Sequence, residues 1–150
     1  MTTPSSLDAQ FVAIGLQYPK TPVNVGAVLR AAGCFGVKLI ATTGQRYSRA
    51  PTDVSAAYRS IPLIQVADLQ EVIPFDCVPV AIELAPNARS LVTYTHPARA
   101  FYVFGPEDSS LGKDALRWCR DVVVIPTNGC LNLAAAVNVV LYDRMAKANR

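Results

Sequence analysis

The sequence predicts an α/β protein whose parallel sheet is flanked by helices on both faces. Short apolar runs of strand length alternate along the chain with segments in which apolar residues recur at helical spacing. The runs lack alternating polar residues, as is typical of parallel strands buried on both faces. Of the 150 residues 51% are hydrophobic and 17% are charged, which excludes a disordered chain and suits one domain over residues 1–150.

The first predicted strand, residues 10–16, leads through a proline-containing loop at residues 17–23 into a helix. Asn24 is a candidate N-cap for this helix, which we expect to run to about Cys34. Residues 37–41 begin the second strand. The apolar face of the helix is made by four residues at helical spacing: Val25, Val28, Leu29 and Ala32.

The remainder of the chain continues the alternation. A polar, basic loop is expected at residues 42–50, followed by a short helix near residues 54–58. Further strands are predicted at residues 61–66, 78–83, 100–105 and 122–125, and further helices at residues 68–73, 111–119 and 132 to about 147. Ligands of such sheets bind beyond the carboxyl ends of the strands, so the loops of interest follow Leu16, Ala41, Glu83, Gly105 and Ile125.

The longest uncharged run, residues 122–142, could span a bilayer by its length alone. However, Pro126 and Gly129 interrupt it, and Asn132 would need a polar partner in lipid. Residues 1–10 lack the basic and apolar regions of a signal peptide. We therefore expect no membrane span and a cytoplasmic protein.

The cysteines show no spacing that is typical of a metal site, and the chain has a single histidine, His96. No metal ion is expected, and His96 is expected to be structural. Four cysteines are expected to be free thiols: Cys34, Cys77, Cys119 and Cys130.

Basic residues are concentrated in one region although the net charge is only +3. Residues 20–60 hold six basic side chains and one acidic side chain, with Tyr47 and Tyr58 among them. This composition suits RNA or another phosphate-bearing ligand, and a solvated loop is an equal alternative.

Three segments at predicted strand ends carry the candidate chemistry. In the first, Arg30 lies opposite the apolar face of its helix, and Gly26 one turn earlier would let a phosphate or another backbone approach it. An ordinary surface arginine is the alternative. In the second, Glu107 follows a strand and Gly105, and could bind a substrate or cap the helix near residue 111.

The third segment, residues 125–132, is a glycine-containing turn that leads into an alanine-rich helix. Its free backbone amides and carbonyls suit the edge of a purine. Asn132 could instead be only the N-cap of that helix.

Together these segments resemble, in order, the three motifs of the SpoU/TrmH family of SPOUT RNA methyltransferases, over about residues 11–147. The first motif, N-x-G-x-x-x-R followed by A-x-x-F-G, is matched by Asn24, Gly26, Arg30, Ala32, Phe35 and Gly36. The second, F-G-x-E, is matched by Phe104, Gly105 and Glu107. The third, I-P and then S-L-N, is matched by Ile125, Pro126, Leu131 and Asn132.

The resemblance implies a SPOUT-type fold in which the C-terminal segment threads a loop as a trefoil knot. It also implies an obligate homodimer with active sites near the interface, and S-adenosylmethionine bound in the knot. The loops expected to contact this cofactor carry Glu83, Gly105, Ile125, Cys130, Leu131 and Asn132.

The first functional prediction is an S-adenosylmethionine-dependent RNA ribose 2′-O-methyltransferase. Arg30 would position the ribose hydroxyl and an adjacent phosphate, while Asn24 and Glu107 shape the site. With no further RNA-binding domain expected, tRNA is favoured over rRNA as the substrate.

Two alternatives remain open. The family's usual serines are replaced by Cys130 and Ala134 here, and the segment from residue 125 to residue 131 is shorter than in many members. The protein could therefore be a catalytically impaired RNA-binding homologue. It could also be a nucleotide-binding α/β enzyme outside the family.

Overall fold

The computed structural model describes residues 10–44 and 60–149. Within them lie seven strands: β1 (Phe11–Leu16), β2 (Leu39–Thr42), β3 (Leu63–Gln65), β4 (Val78–Ile82), β5 (Arg89–Ser90), β6 (Arg99–Phe104) and β7 (Asp121–Val124). The helices are α1 (Pro22–Phe35), α2 (Lys113–Trp118) and α3 (Leu133–Ala148), with short 3-10 segments at Leu69–Val72 and Leu91–Thr93. The predicted helix near residues 54–58, Tyr47 and Tyr58 fall outside the described residues.

The predicted parallel sheet flanked by helices is confirmed. Its strands lie in the order β3-β2-β1-β6-β4-β7-β5, and every pairing is parallel. Alternate side chains of β1 point to opposite faces of the sheet. Ile14 packs in the cluster that includes α1 and α3, and Ala13 packs in the cluster that includes α2 and Leu69. Both faces of the sheet are therefore buried, which accounts for the uninterrupted apolar strands.

The helix α1 begins before the predicted cap. Thr21 is the N-cap residue, and its hydroxyl oxygen accepts a hydrogen bond from the backbone N of Asn24. Pro22 occupies the first turn, where its missing N–H costs nothing and its fixed φ suits a helix. The prediction that Asn24 is the N-cap is therefore wrong, and its side chain is available for another contact. At the other end, Gly36 adopts a φ of 71° and ends the helix after Phe35, close to the predicted end near Cys34.

Other boundaries differ in ways that have local causes. The segment predicted as a helix at residues 68–73 is the 3-10 segment Leu69–Val72, capped by the Asp68 side chain. The helix predicted from residue 111 begins later, at Lys113, because the loop before it is held to neighbouring strand ends. The two-residue strand β5 was not predicted, since so short a pairing leaves no periodic pattern.

The strand β7 lies between β4 and β5, which precede it in the sequence. The helix α3 then packs against α1, and the Lys147 ammonium donates hydrogen bonds to the backbone oxygens of Leu91 and Tyr94. The C-terminal helix is thus bound to the segment that joins β4 to β6. This arrangement fits the knotted path that the resemblance implies.

His96 is part of a half-buried network at the amino edge of the sheet. Its Nδ1 lies 2.6 Å from the Tyr102 hydroxyl, and its Nε2 lies 2.7 Å from Asp143 Oδ2. Lys147 pairs with the same carboxylate at 2.8 Å, and Arg144 reaches the Tyr102 hydroxyl at 3.1 Å. The predicted structural role of His96 agrees with these contacts between β6 and α3.

All four cysteines are free, as predicted, and Cys34 and Cys130 are exposed. Of the helices in the described residues, none combines the length and the apolar character that a membrane span needs.

Candidate active site

The order of the strands brings the three predicted segments to one edge of the sheet. β1 neighbours β6, and β4 lies between β6 and β7. All are parallel, so the loops that follow their carboxyl ends are adjacent. The loop after β1 leads into α1, the loop after β6 carries Glu107, and the loop after β7 is the third segment.

Asn24 and Glu107 are in direct contact. The side-chain amide of Asn24 donates a hydrogen bond of 2.8 Å to Glu107 Oε1, and the backbone N of Lys20 donates one of 2.9 Å to Glu107 Oε2. Both carboxylate oxygens of Glu107 are thus bound by the segment that begins α1. The alternative in which Glu107 caps the next helix is wrong, because the N-cap of α2 is Gly112 and no side chain bonds there.

A second contact joins the same two loops. Lys20 Nζ lies 2.8 Å from Asp108 Oδ2. The hydrogen bond to Asp108 raises the pKa of Lys20, and the same bond lowers the pKa of Asp108. Both side chains are more than half exposed, so this ion pair adds little to stability and serves chiefly to orient the loops.

Glu83, at the end of β4, holds the loop after β6 from its other side. Its Oε2 accepts a hydrogen bond of 2.8 Å from the backbone N of Leu111, and its Oε1 accepts one of 2.9 Å from the backbone N of Leu84. The Gln17 side-chain amide donates to the Leu111 carbonyl at 3.2 Å. Leu111 is therefore fixed through both of its backbone polar groups.

The position of Leu111 against the end of β6 explains why a glycine follows this strand. A Cβ atom on Gly105 would lie 3.0 Å from the backbone N of Leu111 and 3.3 Å from its Cα. Backbone atoms cannot move aside as the end of a flexible side chain can. Gly105 is thus required by the close approach of the loop it begins.

Arg30 is exposed, as predicted, and makes no hydrogen bond or ion pair with the described residues. Gly26, one turn earlier, is buried instead of lying on the open side of α1. The expectation that Gly26 opens the backbone beside Arg30 is therefore wrong. The reason is that α1 packs against both the sheet and α3, which buries more of its circumference than one apolar stripe would.

The third segment is open to solvent along most of its length. Residues 126–132 are exposed, Ile125 is half-buried, and the Thr127 hydroxyl bonds the Gly129 carbonyl. The Asn132 side chain accepts a hydrogen bond of 2.8 Å from the backbone N of Ala135, so it is the N-cap of α3. The cap uses Oδ1 of Asn132, so its side-chain amide Nδ2 and its backbone are the groups that a ligand could meet.

Exposed apolar side chains occur in the loops that follow β4 and β7, which are neighbouring strands. Leu84 is 82% exposed just after β4, and Leu131 is 41% exposed in the third segment. An apolar surface with nearby backbone donors and acceptors suits a purine nucleoside, whose faces are apolar and whose edges form hydrogen bonds. The residues present thus fit the S-adenosylmethionine that the resemblance implies.

Two residues of this cluster were missed in the sequence. Gln17 and Lys20 follow β1, in a loop that the topology identifies as important, but neither belongs to a recognisable motif. Their position at a strand end is the only signal that could have indicated them.

Comparisons with known proteins agree with this architecture. The model of the SpoU rRNA methylase family matches residues 12–142. No curated protein matches the chain.

Solved structures share the fold at low identity. The SpoU methyltransferase AviRb from Streptomyces viridochromogenes, in complex with AdoMet, has a TM-score of 0.80 and 20% identity over 93% of this chain. A TrmH/SpoU tRNA modifying enzyme from A. aeolicus has a TM-score of 0.83 and 17% identity over 96% of this chain and 79% of its own.

Relatives differ in length. This chain spans 58% of the AviRb chain. In contrast, it spans 98% of a protein solved for insights into the 2-OH methylation of C/U34 on tRNA, with a TM-score of 0.79 and 23% identity over 94% of this chain.

Proposed function

Because the chain belongs to the SpoU rRNA methylase family, we propose that it methylates a ribose 2′ hydroxyl of RNA with S-adenosylmethionine as the methyl donor. The observation that carries the proposal is the contact between Asn24 and Glu107, which joins the first and second family motifs at the carboxyl edge of the sheet. Arg30 lies on the same helix, is exposed, and makes no hydrogen bond or ion pair with the part of the chain that the structure describes.

The cofactor would be held by the loops after β4, β6 and β7. The backbone near Gly105, Ile125 and Cys130 would supply its hydrogen-bond partners, and the exposed Leu84 and Leu131 would supply apolar contacts. S-adenosylmethionine supplies an activated methyl group when bound. Glu83 would act indirectly, because its carboxylate is already bound to two backbone amides and fixes the loop that forms one wall.

Arg30 would position the nucleophile. A ribose hydroxyl is a weak nucleophile at neutral pH, so the protein must hold it in line and stabilise the negative charge that develops on it. The planar guanidinium of arginine can donate to the hydroxyl oxygen and to a neighbouring phosphate together. It stays protonated, so we assign the proton of the hydroxyl to that phosphate and not to Arg30.

The proposed substrate is tRNA. The similar protein of matching length was solved for 2-OH methylation on tRNA, and this chain spans 98% of it. We therefore favour tRNA over rRNA.

We further propose a homodimer that uses the outer side of α3. Val139, Tyr142 and Met145 recur there at helical spacing and are 39%, 59% and 43% exposed. A stable interface buries about 800 Å² per partner, more than these three side chains supply, so neighbouring residues must contribute. Sedimentation of the protein should show a dimer at micromolar concentration, and Tyr142→Glu should shift it toward a monomer.

The direct test compares RNA from cells with and without this protein. Mass mapping should find one or a few 2′-O-methylated nucleotides, in tRNA, that disappear with the gene. If the same methylated nucleotides are found with and without the protein, and the purified protein binds RNA, the alternative of a catalytically impaired homologue would be supported. A Cys130→Ser variant addresses the same alternative: equal activity would show that the serine hydroxyl is dispensable here.

A further inference from the structure

A groove of about 550 Å³ lies at the carboxyl edge of the sheet, on the side of α2 and away from α1. Tyr18, from the loop after β1, forms one wall, and Trp118, from α2, forms another. Asp68 and Gln70 line it from the neighbouring 3-10 segment. None of these residues belongs to the three family motifs.

Tyr18 has an unusual backbone conformation. Its φ is 49°, in the left-handed region that a bulky side chain rarely adopts, and it precedes Pro19, where an extended backbone is the normal choice. The surroundings hold it there. The backbone N of Tyr18 donates a hydrogen bond of 3.0 Å to Thr43 Oγ1, and a Cβ on Gly44 would lie 3.2 Å from the Tyr18 ring.

Tyr18 is nevertheless 56% exposed. It is therefore an aromatic surface that is fixed from one side and open on the other. Strained residues of this kind persist only where the rest of the structure holds them, and they are concentrated at ligand sites. Fixed, open aromatic rings are the usual platforms on which proteins stack the unpaired bases of RNA.

The polar groups of the groove include acceptors that suit a base. Arg117 and Asp114 also line it, and their side chains are paired with each other at 3.1 Å. Asp68 uses Oδ1 to accept the backbone N–H of Gln70 at 3.0 Å, and its other oxygen has no hydrogen-bond partner among the described residues. A carboxylate repels phosphate but accepts hydrogen bonds from the amino groups of bases. The exposed Gln70 amide can both donate and accept.

The groove shares two loops with the candidate active site. Tyr18 is two residues before Lys20, whose backbone N bonds Glu107. Gln17, which also lines the groove, bonds the Leu111 carbonyl in the loop that follows Glu107. The groove is therefore connected to the candidate active site through the loop that follows β1.

We propose that this groove binds an unpaired nucleobase of the RNA substrate, adjacent to the methylated nucleotide and stacked on Tyr18. This inference rests on the proposed function, since it requires an RNA substrate. It adds a recognition site that would select substrates by the neighbour of the target nucleotide.

Trp118 makes the proposal directly measurable, because it is the single tryptophan of the chain and lines the groove. The wild-type protein would be titrated with total RNA from cells that lack it, following Trp118 emission and the methylation rate. Two variants distinguish the effect of the aromatic ring from that of the backbone conformation. Tyr18→Asn removes the ring but tolerates the left-handed conformation, whereas Tyr18→Phe keeps the ring. Phe75→Ala, which removes a 94% exposed aromatic near the opposite edge, is the control.

RNA should change Trp118 emission in the wild-type protein. Tyr18→Asn should weaken RNA binding about tenfold, as expected for the loss of one stacked base, while Tyr18→Phe and Phe75→Ala stay within about twofold. Binding of S-adenosylhomocysteine should be equal in all four proteins, which also verifies folding. RNA that is methylated by the wild-type protein without a change in Trp118 emission, or with equal affinity for Tyr18→Asn, would overturn the groove proposal alone. A folded wild-type protein that neither binds nor methylates RNA would overturn the proposed function.

Discussion

Asn24 and Glu107 are 83 residues apart in the sequence, and their side chains are joined by a hydrogen bond of 2.8 Å. Because Lys20 occupies the other oxygen of the same carboxylate, the loop after β6 is tied to the start of α1 at two points. The contact is exposed, so its contribution to stability is small. Its consequence is geometric: it fixes two family motifs relative to each other.

The first prediction concerns this pair. Asn24→Ala and Glu107→Ala should each lower the single-turnover methylation rate roughly tenfold, and each should lower the free energy of unfolding by no more than about 1 kcal/mol. The double variant should be no slower than the slower single variant, because each change breaks the same contact. Rates that multiply in the double variant would show that the two residues act independently.

The second prediction separates catalysis from folding at Arg30. Arg30→Ala should lower the rate about a hundredfold or more, comparable to the loss of a charge-stabilising donor in other enzymes. Its melting temperature should change little, since the side chain is exposed and makes no hydrogen bond or ion pair with the described residues. Affinity for S-adenosylhomocysteine should also be unchanged. Lys38→Ala, another exposed basic residue, is the control, and parental activity of Arg30→Ala would remove Arg30 from the mechanism.

The third prediction tests the indirect role of Glu83. In Glu83→Gln one of the two carboxylate oxygens becomes an NH2 group, so one backbone N–H loses its acceptor. The cost is about 1–3 kcal/mol where this is the part-buried N–H of Leu111, and less where it is the exposed N–H of Leu84, which water can reach. We expect lower stability and a several-fold weaker binding of S-adenosylhomocysteine, measured by calorimetry. Glu71→Gln, on an exposed glutamate, should change neither property. Glu83→Ala removes both acceptors, and unchanged stability of this variant would indicate that the carboxylate does not hold the Leu111 loop.

The fourth prediction follows from the burial of His96. Burial lowers the pKa of His96 below its usual value, outweighing the opposing effect of the hydrogen bond to Asp143. Neutral His96 can accept from the Tyr102 hydroxyl at Nδ1 while Nε2 donates to Asp143; protonation would end the first of these bonds. Arg144 and Lys147 also disfavour the charged form.

The unfolded chain therefore takes up this proton at higher pH than the folded protein. The contribution of His96 to stability is fully present above about pH 6.5 and is lost as pH falls through the lowered pKa. The melting temperature should fall more between pH 7.5 and pH 5 for the wild-type protein than for His96→Gln. Parallel curves for the two proteins would contradict the prediction.

Much of the site could be predicted because parallel strands place their following loops at one edge. The spacing of Asn24 and Glu107 in the sequence does not predict their contact. Only the resemblance to the family motifs indicates that both residues belong to one site. The N-cap was misplaced because Thr21 and Asn24 are both good capping residues, and only the fixed φ of Pro22 decides between them. The left-handed backbone of Tyr18 has no sequence signal, since tyrosine before proline normally indicates an extended chain.

The role of Glu83 shows a different limit. Its place at the end of β4 predicts a ligand contact, but the structure gives both of its oxygens to backbone amides. Strand topology identifies which side chains reach the crevice, whereas the path of the following loop decides which of them remain free. That path depends on the close approach at Gly105, a contact across the fold.

The central claim is that this chain transfers a methyl group to a ribose hydroxyl of RNA. The most direct measurement incubates the purified full-length protein with methyl-labelled S-adenosylmethionine and RNA from cells that lack it, then digests the RNA to nucleosides. The account predicts label on 2′-O-methylated nucleosides, chiefly from the tRNA fraction, and about a hundredfold less of it with Arg30→Ala at equal cofactor binding. A folded protein that binds the cofactor and leaves the RNA unlabelled, or that labels only the bases, would contradict it.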